Sequence, residues 1–139
     1  MNRVLGIDLG EARIGLAISD ELGMLAHPLE TIALKEVEPL GRIAEIVDRD
    51  RVETIILGLP RNMDGSYGPA AEKARAFAEK LRARVPCAVK LWDERLTTVA
   101  AQKSLHAAGR NAKQSRAVID QAAAQLILQG WLDSQAMLG

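Results

Sequence analysis

A single cysteine, Cys87, leaves this chain without an internal disulfide, so folding must rest on a hydrophobic core, and a reducing cytoplasm is the simplest setting. Cys87 follows Pro86 and precedes Ala88-Val89 at the expected start of a strand, which suits packing rather than nucleophilic chemistry. Only two histidines are present, His27 and His106, and their separation offers no Cys and His cluster of zinc-ligand spacing. Aromatic residues make up 3% of the chain, so base stacking is poorly supplied, and a nucleic acid would have to be recognised by backbone and shape. No apolar run approaches the roughly 18 to 20 residues that span a bilayer, and the N-terminus lacks the basic-then-apolar layout of a secretory signal, so no membrane association is expected. Net charge is zero, which leaves no overall basic footprint.

What the chain does contain is the balance of a globular protein, with 48% hydrophobic and 26% charged residues. Its 139 residues fit one domain spanning 1–139, with no internal repeat, low-complexity tract or linker. Charge is neutral only in sum. From Arg95 to Ile119 there are five basic residues, Arg95, Lys103, Arg110, Lys113 and Arg116, and no carboxylate, whereas Glu36, Glu38, Glu45, Asp48, Asp50 and Glu53 make an earlier stretch acidic.

The run Val4-Leu5-Gly6-Ile7-Asp8-Leu9-Gly10 predicts a buried strand. Glu11-Ala12 turns into Arg13–Ser19, where Ile14, Leu16 and Ile18 alternate with smaller or polar residues, as in a half-buried strand paired back on the first. A weaker third strand is expected over residues 24–32, at an edge because it contains Pro28. Val37, Leu40, Ile43, Ala44, Ile46 and Val47 then recur at helical spacing through Asp48, with Pro39 in the first turn. Val52–Leu59 is a continuous apolar run suited to a strand covered on both faces. A turn-rich loop through Gly68 leads to a helix from Pro69 to about Arg84, followed by a fifth strand over residues 88–92. A helix from Thr97 or Thr98 to about Ala108, stopped by Gly109, precedes a last helix from near Ser115 to about Ser134. This order predicts an α/β fold with a mixed five-stranded sheet: an antiparallel meander on one side, then strands one, four and five made parallel by right-handed crossovers and flanked by helices. Sites in such open sheets form at the carboxyl ends of the parallel strands, where Asp8, the loop after Leu59 and Asp93-Glu94 fall.

Asp8 is the anomaly of its strand. A carboxylate in a buried strand costs on the order of several kcal/mol unless a cation or hydrogen bonds offset it, so Asp8 either accepts turn N–H groups or belongs to a site. In the last helix, Asp120 has Arg116, Ala123, Ala124, Ile127 and Trp131 at helical spacing, a largely apolar face that would turn it toward the sheet. Small Ala123 and Ala124 would allow a close approach, and a role for Asp120 as a mere N-cap is the alternative. Three separated segments therefore bring carboxylates to one sheet end: Asp8, Asp93 or Glu94, and Asp120. Clustered carboxylates repel one another, and hard divalent cations with oxygen ligands compensate, so Mg²⁺ or Mn²⁺ is the expected occupant. Two such ions about 4 Å apart can activate a water and stabilise the leaving oxygen of an in-line phosphodiester cleavage. The glycines beside Asp8 would keep the approach open for a phosphate.

Four groups of residues occur in order over nearly the whole chain: Gly6-Ile7-Asp8-Leu9-Gly10 with Arg13-Ile14-Gly15, Gly58-Leu59-Pro60 with Asn62-Met63-Asp64-Gly65-Ser66, Asp93-Glu94-Arg95-Leu96-Thr97-Thr98, and Ile119-Asp120 with Ala122-Ala123 and Ile127-Leu128-Gln129. As a set they resemble the YqgF family, also called RuvX, described either as Holliday junction resolvases or as nucleases maturing the 5′ end of pre-16S ribosomal RNA. The resemblance implies a ribonuclease H-like fold and a metal-dependent endonuclease acting on structured RNA or branched DNA. It also implies Asp8, Glu94 and Asp120 as metal-binding catalytic acids. Alternation lets only one of the adjacent Asp93 and Glu94 face the metals, and Glu94 is favoured. Related resolvases use four acids, for which Asp93 and Asp64 are the candidates here. Cutting a junction would require two active sites, hence a homodimer or paired monomers.

The loop from Arg61 to Gly68 opens a helix, where free N–H groups and the helix dipole favour a phosphate. Arg61, Asn62 and Ser66 are therefore candidate nucleic-acid contacts, set against a loop that merely turns. Arg110, Lys113 and Arg116, just before the Asp120 helix, are candidates for guiding backbone phosphates past the metals, set against a solvated surface. Arg95 suits pairing with Asp93 or Glu94, and Tyr67 suits packing. Two rival readings remain. A phosphotransferase or ATPase of the actin, Hsp70 and sugar kinase type has a first phosphate loop resembling Asp8-Leu9-Gly10 followed by Gly15, but needs two such domains around its nucleotide. A non-catalytic nucleic-acid or protein-binding module on the same fold would be expected to have lost one of the three acids.

Overall fold

The computed structural model describes residues 3–60, 64–94 and 115–138 of the chain. Its elements are β1 (Arg3–Leu9), β2 (Arg13–Ser19), β3 (Ala26–Ala33), α1 (Pro39–Asp50), β4 (Val52–Leu59), α2 (Pro69–Arg84), β5 (Ala88–Asp93) and α3 (Ser115–Leu138). The helix expected from Thr97 or Thr98 to Ala108 lies outside the described residues. The strands form one sheet in the order β3-β2-β1-β4-β5. β1 pairs antiparallel with β2 and β2 with β3, while β1, β4 and β5 run parallel, which is the expected mixed topology.

Differences from the expected boundaries have local causes. β3 begins at Ala26 because the preceding turn extends further: Asp20 Oδ1 accepts from the Met24 N–H, and the Asp20 N–H donates to the Leu25 carbonyl. Pro28 is accommodated because β3 is an edge strand, opposite a register shift between Leu16 and Ala17. α1 starts at Pro39 rather than Val37, since Glu38 caps it by accepting from the Gly41 N–H at 2.6 Å. α3 runs past Ser134, whose hydroxyl donates back to the Trp131 carbonyl instead of ending the helix.

Strand alternation divides the core between the two sheet faces. Leu5 and Ile7 of β1, Ile14, Leu16 and Ile18 of β2, and Ile55, Leu57 and Leu59 of β4 pack with α1 and α2 in the larger cluster. Val4, Ala17 and Ile56 belong to the other face, where Ala124, Ile127, Leu128 and Leu132 of α3 cover them. Cys87 is half-buried against the larger cluster, and burial pushes its thiol pKa up, in keeping with packing. No helix among the described residues is long and apolar enough to cross a membrane.

Candidate active site

Residues of the α3 face meet at the carboxyl end of the parallel strands. Asp8 follows Val4 and Gly6 on this face of β1, and its cross-strand partner in β2 is Gly15. A Cβ on Gly15 would lie 1.9 Å from the carbonyl oxygen of Asp120, so α3 rests directly on the β2 backbone at this point. At Gly6 a Cβ would lie 2.7 Å from that of Leu128. The close approach of helix to sheet is thus made mainly by strand glycines rather than by Ala123 and Ala124 alone. For Gly6 this also corrects the expectation that the glycines beside Asp8 hold space for a phosphate. Leu128 occupies the space over Gly6, and Gly10 serves the hairpin turn, donating its N–H to the Arg13 carbonyl at 3.0 Å.

Glu94 follows the end of β5 and returns to the α3 face, where its carboxyl group hydrogen-bonds Asp8. Gly58 of β4 makes this possible, since a Cβ there would come within 2.6 Å of both Glu94 Oε1 and Ile127 Cδ1. Burial raises the pKa of Asp8 from 3.8 to about 6, the neighbouring charge of Asp120 adds to the rise, and the bond from Glu94 opposes it. Burial likewise raises Glu94 from 4.5 to about 7, reinforced by the charges of Asp8 and, less, Asp93 and by the bond to Asp8. The two carboxyl groups thus face each other as a coupled pair that is favoured when it shares a proton.

Asp120 lies in the second turn of α3 rather than at its cap, with its side chain largely covered. Its Oδ2 accepts from Arg13 Nε at 2.8 Å. Arg13, on the same face of β2 as Gly15 and Ala17, is a site residue that the sequence reading passed over. Its signal was present: strand parity puts it two residues from the partner of Asp8. Among the described residues no three His, Cys, Asp or Glu side chains close around a single point. Asp8 and Glu94 are in contact, and Asp120 stands at electrostatic range of Asp8 with its carboxylate held by Arg13.

The other candidates fall away from this centre or outside the described residues. Asp93 pairs in register with Leu59, whose side chain packs in the α1–α2 core, so it belongs to the opposite face. Asp64 is exposed and accepts from both the N–H and the hydroxyl of Ser66, at 2.9 and 2.6 Å, which hold its carboxyl below the usual range. Asp93 therefore stands on the other face of the sheet from Asp8, within electrostatic range of Glu94, and Asp64 is engaged by Ser66. Ser66, whose hydroxyl is engaged by Asp64, closes a turn of the loop leading into α2. Tyr67 is 43% exposed beneath Arg75 rather than packed in the core. Arg61, Asn62, Arg95, Arg110, Lys113 and His106 lie outside the described residues, as does the side chain of Arg116.

The family model described as "RuvX: Holliday junction resolvase" matches residues 2–134. A protein of Halalkalibacterium halodurans named "Putative pre-16S rRNA nuclease" is 47% identical over 138 residues, covering 97% of this chain and 99% of its own. One of the same name from Acetivibrio thermocellus is 50% identical over 136 residues, covering 96% of each. Among solved structures, RuvC of Thermus thermophilus in complex with a Holliday junction substrate matches with a TM-score of 0.57 at 21% identity, covering 96% of both chains. That likeness shows the fold: a ribonuclease H-like mixed five-stranded sheet flanked by helices.

Proposed function

This chain belongs to the RuvX family, and from that premise we propose that it is a divalent-metal-dependent endonuclease whose catalytic acids are Asp8, Glu94 and Asp120. Its reaction is that of a nuclease, the hydrolysis of phosphodiester bonds in nucleic acid. The observation that carries the assignment of the site is the contact between Asp8 and Glu94, two desolvated carboxyl groups with Asp120 beside them. Such a pair is unfavourable unless it shares a proton or a cation, and its oxygen-only donors suit a hard ion such as Mg²⁺ or Mn²⁺. Asp8 and Glu94 would hold the cations, with Asp120 completing the oxygen set. When bound, two divalent ions supply activation of a water and stabilisation of the leaving oxygen in an in-line cleavage, leaving 5′-phosphate and 3′-hydroxyl ends.

The residues themselves have separable tasks. Burial of Asp8 and Glu94 keeps bulk water from screening the charges between which a phosphate must sit. α3 brings Asp120 over Gly15, opposite Asp8. Candidate substrate contacts are Arg61, Asn62, Arg110, Lys113 and Arg116, with Ser66 shaping the loop that leads to α2. The names of the relatives at 47% and 50% identity favour pre-16S ribosomal RNA as the substrate, and we place its 5′-end processing in the cytoplasm, on a single nuclease domain. The family description favours a second substrate, the Holliday junction, on which two sites and hence a homodimer would be required.

The test offers the purified protein structured precursor RNA and four-way DNA junctions with Mn²⁺, beside Asp8→Asn. Cleavage of the RNA, lost in the variant, is expected. Cleavage unchanged by Asp8→Asn would refute the site, and no cleavage of either substrate would favour a binding module.

A further inference from the structure

Arg13 opens β2 just after the hairpin turn and stands two residues from Gly15, the partner of Asp8. A two-residue step keeps it on the α3 face and carries it roughly 7 Å along the strand, to the sheet edge where the acids meet. Its Nε donates to Asp120 Oδ2 at 2.8 Å, with 32% of the Arg13 side chain and 22% of the Asp120 side chain exposed. Among the described residues Asp120 is the one partner of the Arg13 side chain. Arg42, Arg49 and Arg75, by contrast, commit terminal N–H groups to carboxylates away from this edge. A guanidinium has five N–H donors in a rigid plane, so a bond through Nε orients the plane and leaves the terminal groups for a second acceptor. An acceptor that approaches these carboxylates is itself an anion, and a fixed cation offsets that repulsion.

Resting on the nuclease reading above, we propose that Arg13 is a substrate contact: with Nε fixed on Asp120, its terminal N–H groups take a non-bridging oxygen of a backbone phosphate beside the acids. The geometry couples the two partners, because the plane that receives the phosphate is the plane Asp120 orients. Lysine keeps the charge near the phosphate but not its orientation, since an ammonium has no second fixed face.

The test measures binding of labelled four-way DNA junction and structured precursor RNA in chelator, where binding is read without cleavage, over a salt series for wild type, Arg13→Gln and Arg13→Lys. Loss of one phosphate contact lowers the slope of log affinity against log salt by about 0.7–0.9 in Arg13→Gln, while Arg13→Lys keeps the wild-type slope. With Mn²⁺, cleavage falls at least tenfold in Arg13→Gln, and Arg13→Lys recovers only part of it. An unchanged slope in Arg13→Gln, with a lowered melting temperature as its sole effect, would make Arg13 a support for α3 and overturn the proposal. If Arg13→Gln does not fold, Arg13→Met, which keeps the apolar stem without the charge, is read in the same way: a slope lowered by about 0.7–0.9 supports the contact, and an unchanged slope overturns it. Wild-type protein that cuts neither substrate refutes the nuclease reading itself, a result distinct from either.

Discussion

Asp8 and Glu94 place opposite demands on stability and chemistry. Each has a folded-state pKa above its unfolded one, about 6 against 3.8 and about 7 against 4.5, so the folded chain binds more protons than the unfolded chain between those values. Their contribution to stability is full below about pH 4 and is lost as pH rises through 6 and 7. Without metal, the melting temperature should therefore fall between pH 5 and pH 8, measured by circular dichroism. Asp8→Asn removes the buried charge and should be more stable than wild type at pH 8, by on the order of 1–3 kcal/mol, with the gap closing toward pH 5. A variant equally stable at both pH values would mean that Asp8 is better solvated than its burial implies. The anomaly of Asp8 was legible from one residue, because a carboxylate in an apolar strand requires compensation. The choice between Asp93 and Glu94 was not, because alternation becomes informative only once register is known. Pairing of Asp93 with Leu59 supplies it.

At the scale of elements, the site depends on how closely α3 lies on the sheet. Gly15 and Gly58 sit on the same face and predict different failures. A methyl group on Gly15 meets the backbone carbonyl of Asp120 at 1.9 Å, and backbone cannot turn aside, so Gly15→Ala must lift α3. It should cost at least about 1–3 kcal/mol in urea denaturation and displace Asp120, abolishing cleavage. On Gly58 the methyl meets only side-chain ends, Glu94 Oε1 and Ile127 Cδ1, at 2.6 Å. Gly58→Ala should therefore lose cleavage by moving Glu94 off Asp8 while costing less stability than Gly15→Ala. Equal stability losses in the two would contradict this distinction. The face of α3 that turns to the sheet was legible in the spacing of Ala124 and Ile127, both buried, whereas the glycine surfaces opposite were not. A glycine in a strand signals a bend, a turn or a close neighbour alike, and only the packed helix distinguishes them. Arg13 escaped for a related reason: an arginine at a strand start reads as solvated until Asp120 is set against it.

Across the whole molecule, sequence order was enough to give the sheet, because tight links produce the β1–β2–β3 meander and right-handed crossovers make β1, β4 and β5 parallel. Both acids on strand ends then fall at one edge, and α3 crosses that edge with the third. The opposite face, filled by Leu5, Ile7, Ile55 and Leu57 against α1 and α2, carries none of the three acids and acts as the rigid support. A site built between a sheet and a single long helix brings carboxylates together at the expense of their solvation, which a bound cation would reverse. Calorimetric titration of Mn²⁺ into metal-free protein at pH 8, for wild type, Asp8→Asn and Glu94→Gln, tests this most directly. Saturable binding by wild type, weakened at least tenfold in each variant, is the expected result; no uptake by wild type, or affinity unchanged in both variants, would contradict it.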